Sequence, residues 1–154
     1  MPHKRTTSEL QELGKILYRR KEYAKALSLF NEAITSEPNL TVSLLDNRAA
    51  TYEKLDDIPS ALKDAKNAIR LHEKDPTGYL RAGKLLEKAG KPDTALGVYK
   101  HGIKKGTKNV DILQRLYDKL LRSTIPPTAV DPFTRLPIEL VEMILAHLSF
   151  RQIV

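Results

Sequence analysis

Three columns of small residues recur in a single register along the chain, and no other feature narrows its fold so far. Ala26, Ala61 and Ala95 are separated by 35 and 34 residues; Gly14, Ala49 and Gly83 lie twelve residues before them, and Ala33, Ala68 and Gly102 seven after. This is the period of a repeated helix hairpin. Two antiparallel helices, A then B, approach closely only where side chains are small, so each column marks a crossing. Larger residues recur between the crossings: Leu10, Leu45 and Tyr79 early in helix A, then Leu17, Tyr52 and Leu86. One hairpin cannot bury its own apolar face, and about three stacked units are the fewest that usually suffice. The sequence supplies three, over residues 7–40, 42–75 and 76–109, and the fold class is all-α.

The punctuation agrees with this register. Thr6 and Glu9 form the two halves of a capping box at the start of the first helix. Pro38 stops the second. Asp57-Ile58-Pro59, Asp75-Pro76 and Lys91-Pro92 put Pro in a first turn, where its missing N–H leaves nothing unpaired. Asn109 is placed to cap a further helix over 110–123, in which Ile112, Leu113, Leu116, Tyr117, Leu120 and Leu121 recur at three- and four-residue spacing. That stripe suits a helix closing the last apolar face, with Asp111, Gln114, Arg115, Asp118 and Arg122 toward water; the other reading is a helix offered to a partner. Residues 124–134, with Pro126 and Pro127, read as an extended linker.

Charge and composition exclude several classes. The chain has no cysteine, which rules out a disulfide framework, Cys-ligated zinc and a thioester-forming nucleophile. No apolar run approaches the roughly 20 residues that span a bilayer. MPHKRTTSEL carries no secretory apolar segment. The expectation is a nuclear or cytoplasmic protein without membrane association. The net charge is +7, and the residues from 125 onward contribute −1 of it. The array should therefore attract acidic peptides or proteins, or phosphate backbones without base readout. A solvated, solubilising surface is the plainer alternative. With no Trp, and with aromatics at repeat-core positions, a nucleic-acid stacking platform is not indicated. His3, His72, His101 and His147 lie on separate elements, and no phosphate loop or metal cluster appears. No cofactor and no catalysis are expected.

These columns, with Tyr23, Phe30 and Pro38 in the first unit, resemble the tetratricopeptide repeat (TPR). The second unit departs with Arg48 at a core apolar position and Glu73 at a Pro position; the third has Thr107 there. The resemblance implies a right-handed superhelix of three hairpins with a C-terminal capping helix, whose A helices line a concave peptide-binding groove. The segment from 135 to 154, TRLPIELVEMILAHLSFRQIV with its preceding Thr134, resembles the start of an F-box. Leu136, Pro137, Glu139, Leu140, Ile144, Leu145, Leu148 and Ser149 fall on that pattern. The other reading is an amphipathic helix of some other core. F-box proteins are substrate receptors of SCF-type cullin-RING ubiquitin ligases, so Leu136, Pro137, Leu140, Ile144, Leu145 and Leu148 would contact the ligase adaptor or form the F-box core, completed by sequence beyond Val154. A TPR array followed by an F-box also resembles a fungal group in which the repeats tether the protein to nuclear, replication-associated assemblies.

In the groove the resemblance points to Gln11, Lys15, Arg19, Asn47, Arg81 and Lys84. The carboxylate clamp of TPR co-chaperones maps onto Gln11, Lys15, Asn47, Thr77 and Arg81, and only Asn47 and Arg81 match it. The implied function is a protein-binding module of an F-box receptor, with acidic segments as ligands; the alternative is a stand-alone co-chaperone or scaffold. For Asn47 and Arg48 a structural role, satisfying backbone groups near a helix crossing, is the competing reading.

Overall fold

The computed structural model describes residues 3–125 except 37 and 39. Among them run seven helices, α1(Thr7–Arg19), α2(Tyr23–Ser36), α3(Val42–Lys54), α4(Ile58–Leu71), α5(Pro76–Lys88), α6(Pro92–Lys104) and α7(Val110–Thr124). The segment expected to begin an F-box, and the linker beyond Ile125, lie outside the described residues. The caps form as their residue types dictate. Thr6 Oγ1 accepts from the Glu9 amide at 3.2 Å while a Glu9 carboxylate oxygen accepts from the Thr6 amide at 2.8 Å. Thr41, Asp57 and Asp75 cap α3, α4 and α5, and Pro76 and Pro92 open α5 and α6. Asn109 departs from expectation: it precedes α7 in a left-handed conformation, φ 53°, and its side chain makes no capping bond. A side chain swung to that backbone geometry points away from the first-turn amides.

Successive helices pack as hairpins, and the layering follows from which helices skip a neighbour. The A helices touch along the array, α1 on α3, α3 on α5 and α5 on α7, whereas the B helices α2, α4 and α6 do not touch one another. An inner row that is closer together than the outer row curves the stack, with the A helices on its concave side.

Side-chain volume at each hairpin crossing is matched across the two helices. In the first unit Gly14 faces Phe30, and a Cβ there would lie 2.6 Å from the ring. In the third, a Cβ on Gly83 would collide with the Tyr99 ring. One period away from both aromatics, the second unit has Ala65, and there the A helix carries Ala49, both fully buried. Where helix B is large, helix A has no side chain. Tyr99 is fixed further by its hydroxyl, which donates to Glu87 Oε2 at 2.6 Å; burial first, then that carboxylate, push its pKa upward.

Each hairpin turns through the same left-handed residue, Lys21 (φ 64°), Asp56 (φ 61°) and Gly90 (φ 72°). The bonds repeat too: the Glu22, Asp57 and Lys91 amides each donate to the carbonyl five residues back, on Leu17, Tyr52 and Leu86, at 2.9 Å. This is the Schellman termination of an α-helix, for which only Gly is unstrained.

The apolar core is not continuous. Leu10, Ala26, Phe30, Ala33 and Leu44 form one cluster, while a second runs from Ala49 to Leu120 through α3 to α7. Near their junction, Arg48 donates from Nε and Nη2 to both oxygens of Asp64, each at 2.7 Å, and from Nη1 to Asn31 Oδ1 at 3.1 Å. Asp64 is 1% exposed. Thus Arg48 ties α2, α3 and α4 through side chains, and the expected contacts to backbone groups are not how it is held. At the far end α7 buries Leu113 and Leu120 against the core, with Leu116, Tyr117 and Leu121 packed beside them. Ile112, expected on that stripe, is 41% exposed; it sits on the flank of α7 turned away from Leu113.

Three stability effects follow. Gly83→Ala gains about 1 kcal/mol of helix propensity but overpacks an immobile ring at a cost of about 1–3 kcal/mol, so the urea midpoint should fall; in a Tyr99→Ala background the same change should raise it, reproducing the Ala49/Ala65 crossing. Lys21→Gly should stabilise by about 1 kcal/mol by removing left-handed strain, read from the same urea curves. Arg48→Leu leaves the Asp64 carboxylate buried without its partner and should cost about 3–5 kcal/mol, whereas Arg48→Leu with Asp64→Leu should cost much less in a double-mutant cycle.

Candidate peptide-binding groove

The inner row of helices presents one face each of α1, α3 and α5 to the concave side, and the residues expected in the groove divide between two recesses. Lys15, Arg19 and Asn47 line the first together with Tyr18, Phe30 and Ala50, around a cavity of about 160 Å³. Its floor is apolar because Gly14 lets the Phe30 ring come up between α1 and α2. Its rim is basic: Arg19 is exposed and makes no ion pair among the described residues. Lys15 lies 2.7 Å from Glu12 within one turn of α1. That pair is solvent-exposed and contributes little, about 0.3–0.5 kcal/mol, so an incoming carboxylate can displace it at small cost.

Asn47 sits at the inner end of this recess. Its carbonyl accepts from the Thr51 hydroxyl at 2.8 Å, but its Nδ2 is buried with no hydrogen-bond partner among the described residues. A donor held without a partner costs about 1–3 kcal/mol. It is the sort of group a ligand carbonyl or carboxylate can satisfy.

Arg81 and Lys84 line the second recess with Asp46, Thr77 and Leu80, a cavity of about 210 Å³. Here the charge balance differs from the basic strip expected from sequence. Arg81 donates from Nε and Nη2 to the two oxygens of Asp46, at 2.7 and 3.2 Å, and from Nη1 to Glu53 Oε2 at 3.1 Å. Burial disfavours its charge, and the two carboxylates outweigh that, so its pKa is raised. Two carboxylates on one guanidinium leave the trio net negative. Arg81 therefore fastens α5 to α3, and Lys84, exposed on the rim, is the cation that this recess can offer. Sequence reasoning missed Asp46 and Glu53; the signal was present, since the two stand seven residues apart and so share one face of α3.

Gln11 is placed away from both recesses. Its Nε2 donates to Ser43 Oγ at 2.9 Å, bridging α1 and α3 where the groove begins. So the structure gathers Lys15, Arg19 and Asn47 at one site and Arg81 and Lys84 at another.

Comparison with known proteins agrees with this geometry. Residues 8–40 match the tetratricopeptide repeat family. The F-box/TPR repeat protein pof3 of Schizosaccharomyces pombe is 34% identical over 142 residues, covering 88% of this chain and 24% of that protein. Hsp70-Hsp90 organizing protein 3 of Arabidopsis thaliana is 35% identical over 105 residues, covering 68% of this chain and 19% of that protein. The chain thus spans about a quarter or less of the length of these relatives. Among solved structures, the Sgt2 TPR domain from Aspergillus fumigatus superposes with a TM-score of 0.59 at 26% identity, over 82% of this chain and 89% of that domain. The chain's first hairpin thus matches the tetratricopeptide repeat, and its described helices take the fold of a tetratricopeptide-repeat domain, a protein-interaction fold.

Proposed function

We propose that this chain is the protein-interaction part of an F-box substrate receptor for an SCF-type cullin-RING ubiquitin ligase, its groove tethering an extended acidic segment of a substrate or nuclear partner. One observation carries the choice. The similarity to the fission yeast F-box/TPR protein covers 88% of the chain, more than the residues up to Ile125 can hold, which supports a likeness that continues past the repeats. The similarity to the organizing protein covers 68%, the extent of the repeats alone. In the groove, the Lys15–Arg19–Asn47 recess pairs two cations and an amide with an aromatic floor. That suits a carboxylate next to an apolar side chain, and charge-assisted bonds would supply most of the affinity.

The co-chaperone reading draws support from the same repeats, which are as similar to the Arabidopsis organizing protein as to the fission yeast one. Residue by residue it is weaker. A doubly charged chain terminus needs several cationic donors converging on it; Gln11 and Thr77 are uncharged, and Arg81 already faces Asp46 and Glu53.

Two measurements separate the readings. Immunoprecipitation of the native full-length protein should recover the SCF adaptor and cullin, and Leu140→Asp with Ile144→Asp should abolish recovery while leaving the thermal melt of the repeats unchanged. Fluorescence anisotropy with a chaperone carboxy-terminal peptide, as free acid and as amide, should show weak binding of both; tight binding lost on amidation would establish the co-chaperone reading instead. Lys15→Ala with Arg19→Ala should weaken an acidic internal peptide at least tenfold, about 1.4 kcal/mol, with the difference shrinking as salt rises.

A further inference from the structure

The two recesses of the groove differ in charge although α3 stands between them and serves both. Asp46 and Asn47 are consecutive on that helix, so their side chains leave it about 100° apart and face recesses on its two flanks. The recess toward α1 is lined by Lys15 and Arg19, with no carboxylate among its lining residues. The recess toward α5 is lined by Asp46, Arg81 and Lys84. Glu53 stands behind Arg81 at 3.1 Å, and Lys88 lies 3.9 Å beyond Glu53. On one flank two cations meet no acid; on the other, each carboxylate already has a cation.

Asp46 keeps an open side. Its side chain is 25% exposed, and its two oxygens accept one bond each from Arg81, at 2.7 and 3.2 Å. That leaves unused about half of the four acceptor sites a carboxylate offers.

We propose that Asp46 sets the specificity of the groove. The ligand is a charge-polarised segment, acidic over Lys15 and Arg19, with a hydrogen-bond donor rather than a second acid against Asp46. Packed helices lie about 8–10 Å apart, and an extended segment advances about 3.3–3.6 Å per residue, so the two positions on the ligand are about three residues apart. A donor there finds a free carboxylate site and leaves the Arg81 tie between α3 and α5 in place. An acid there faces Asp46 across the recess and gains only Lys84, an exposed rim cation whose pairing has little net worth. This narrows the proposed acidic segment to one acidic end; it rests on the groove as the binding site and is independent of the ligase reading.

Fluorescence anisotropy of short blocked peptides on the complete chain tests it. Each peptide carries paired glutamates beside a phenylalanine at one end and, about three residues on, paired serines, alanines or glutamates. Each is made in both sequence orders, so that chain direction does not decide the outcome. In the tighter order, the serine peptide should bind about threefold tighter than the glutamate peptide, and also tighter than the alanine one. Asp46→Asn, which keeps an oxygen acceptor for Arg81, should bring the glutamate peptide level with the serine peptide. Lys84→Ala, which leaves the α3–α5 tie untouched, should widen the difference. If no peptide binds, or if binding survives Lys15→Ala with Arg19→Ala, the groove reading fails and this proposal with it. Binding that needs Lys15 and Arg19 yet favours the glutamate peptide, or a preference that Asp46→Asn leaves in place, overturns the role of Asp46 alone.

Discussion

Everything in this molecule depends on how closely two helices can cross. The crossing distance is set by paired volumes: Gly14 beneath Phe30, Ala49 with Ala65, Gly83 beneath Tyr99. With those distances fixed, the large residues between crossings meet the next hairpin at the right height, and α3, α5 and α7 can share a core. The pairing also explains how repeats with different side chains keep one geometry. A missing Cβ on one helix and a ring on the other stand where the middle unit has two methyl groups.

The polar contacts form a second framework on top of that packing. Arg48 joins α2, α3 and α4, and Arg81 joins α3 to α5, each through a bidentate carboxylate. The Arg48–Asp64 pair lies within the second unit and reaches the first through Asn31, whereas Arg81 lies between the second and third, so that each helps to orient one hairpin on the next. That placement has a consequence for the groove. Cations in register with the inner face are partly used to hold the array together, so the basic character that the composition suggests is concentrated at Lys15 and Arg19 and falls off toward α5. A ligand would therefore be gripped at the first hairpin and guided along the rest.

Local turn chemistry is where the sequence was least informative. Lys21 and Asp56 occupy the same left-handed position as Gly90, yet neither residue type announces it. Only Gly90 marks the turn, and its column would have revealed the other two. Asn109 is the converse: a residue type that caps helices, in a place where backbone conformation turns its side chain away.

The sequence by itself determined the period, the all-helical class, the three hairpins and the helix starts, because small residues and caps act through local sterics and through hydrogen bonds three or four residues apart. It also brought Lys15, Arg19, Asn47, Arg81 and Lys84 to notice as groove positions. Only the tertiary structure decided what those positions can do. Whether Arg81 faces a ligand or Asp46 and Glu53, whether Gln11 points into the groove or to Ser43, and whether Asn47 has a partner are all set by contacts between helices some 30 residues apart in the chain. Such contacts leave no local pattern, since a charged residue on a helix face reads the same whether water or a carboxylate lies opposite.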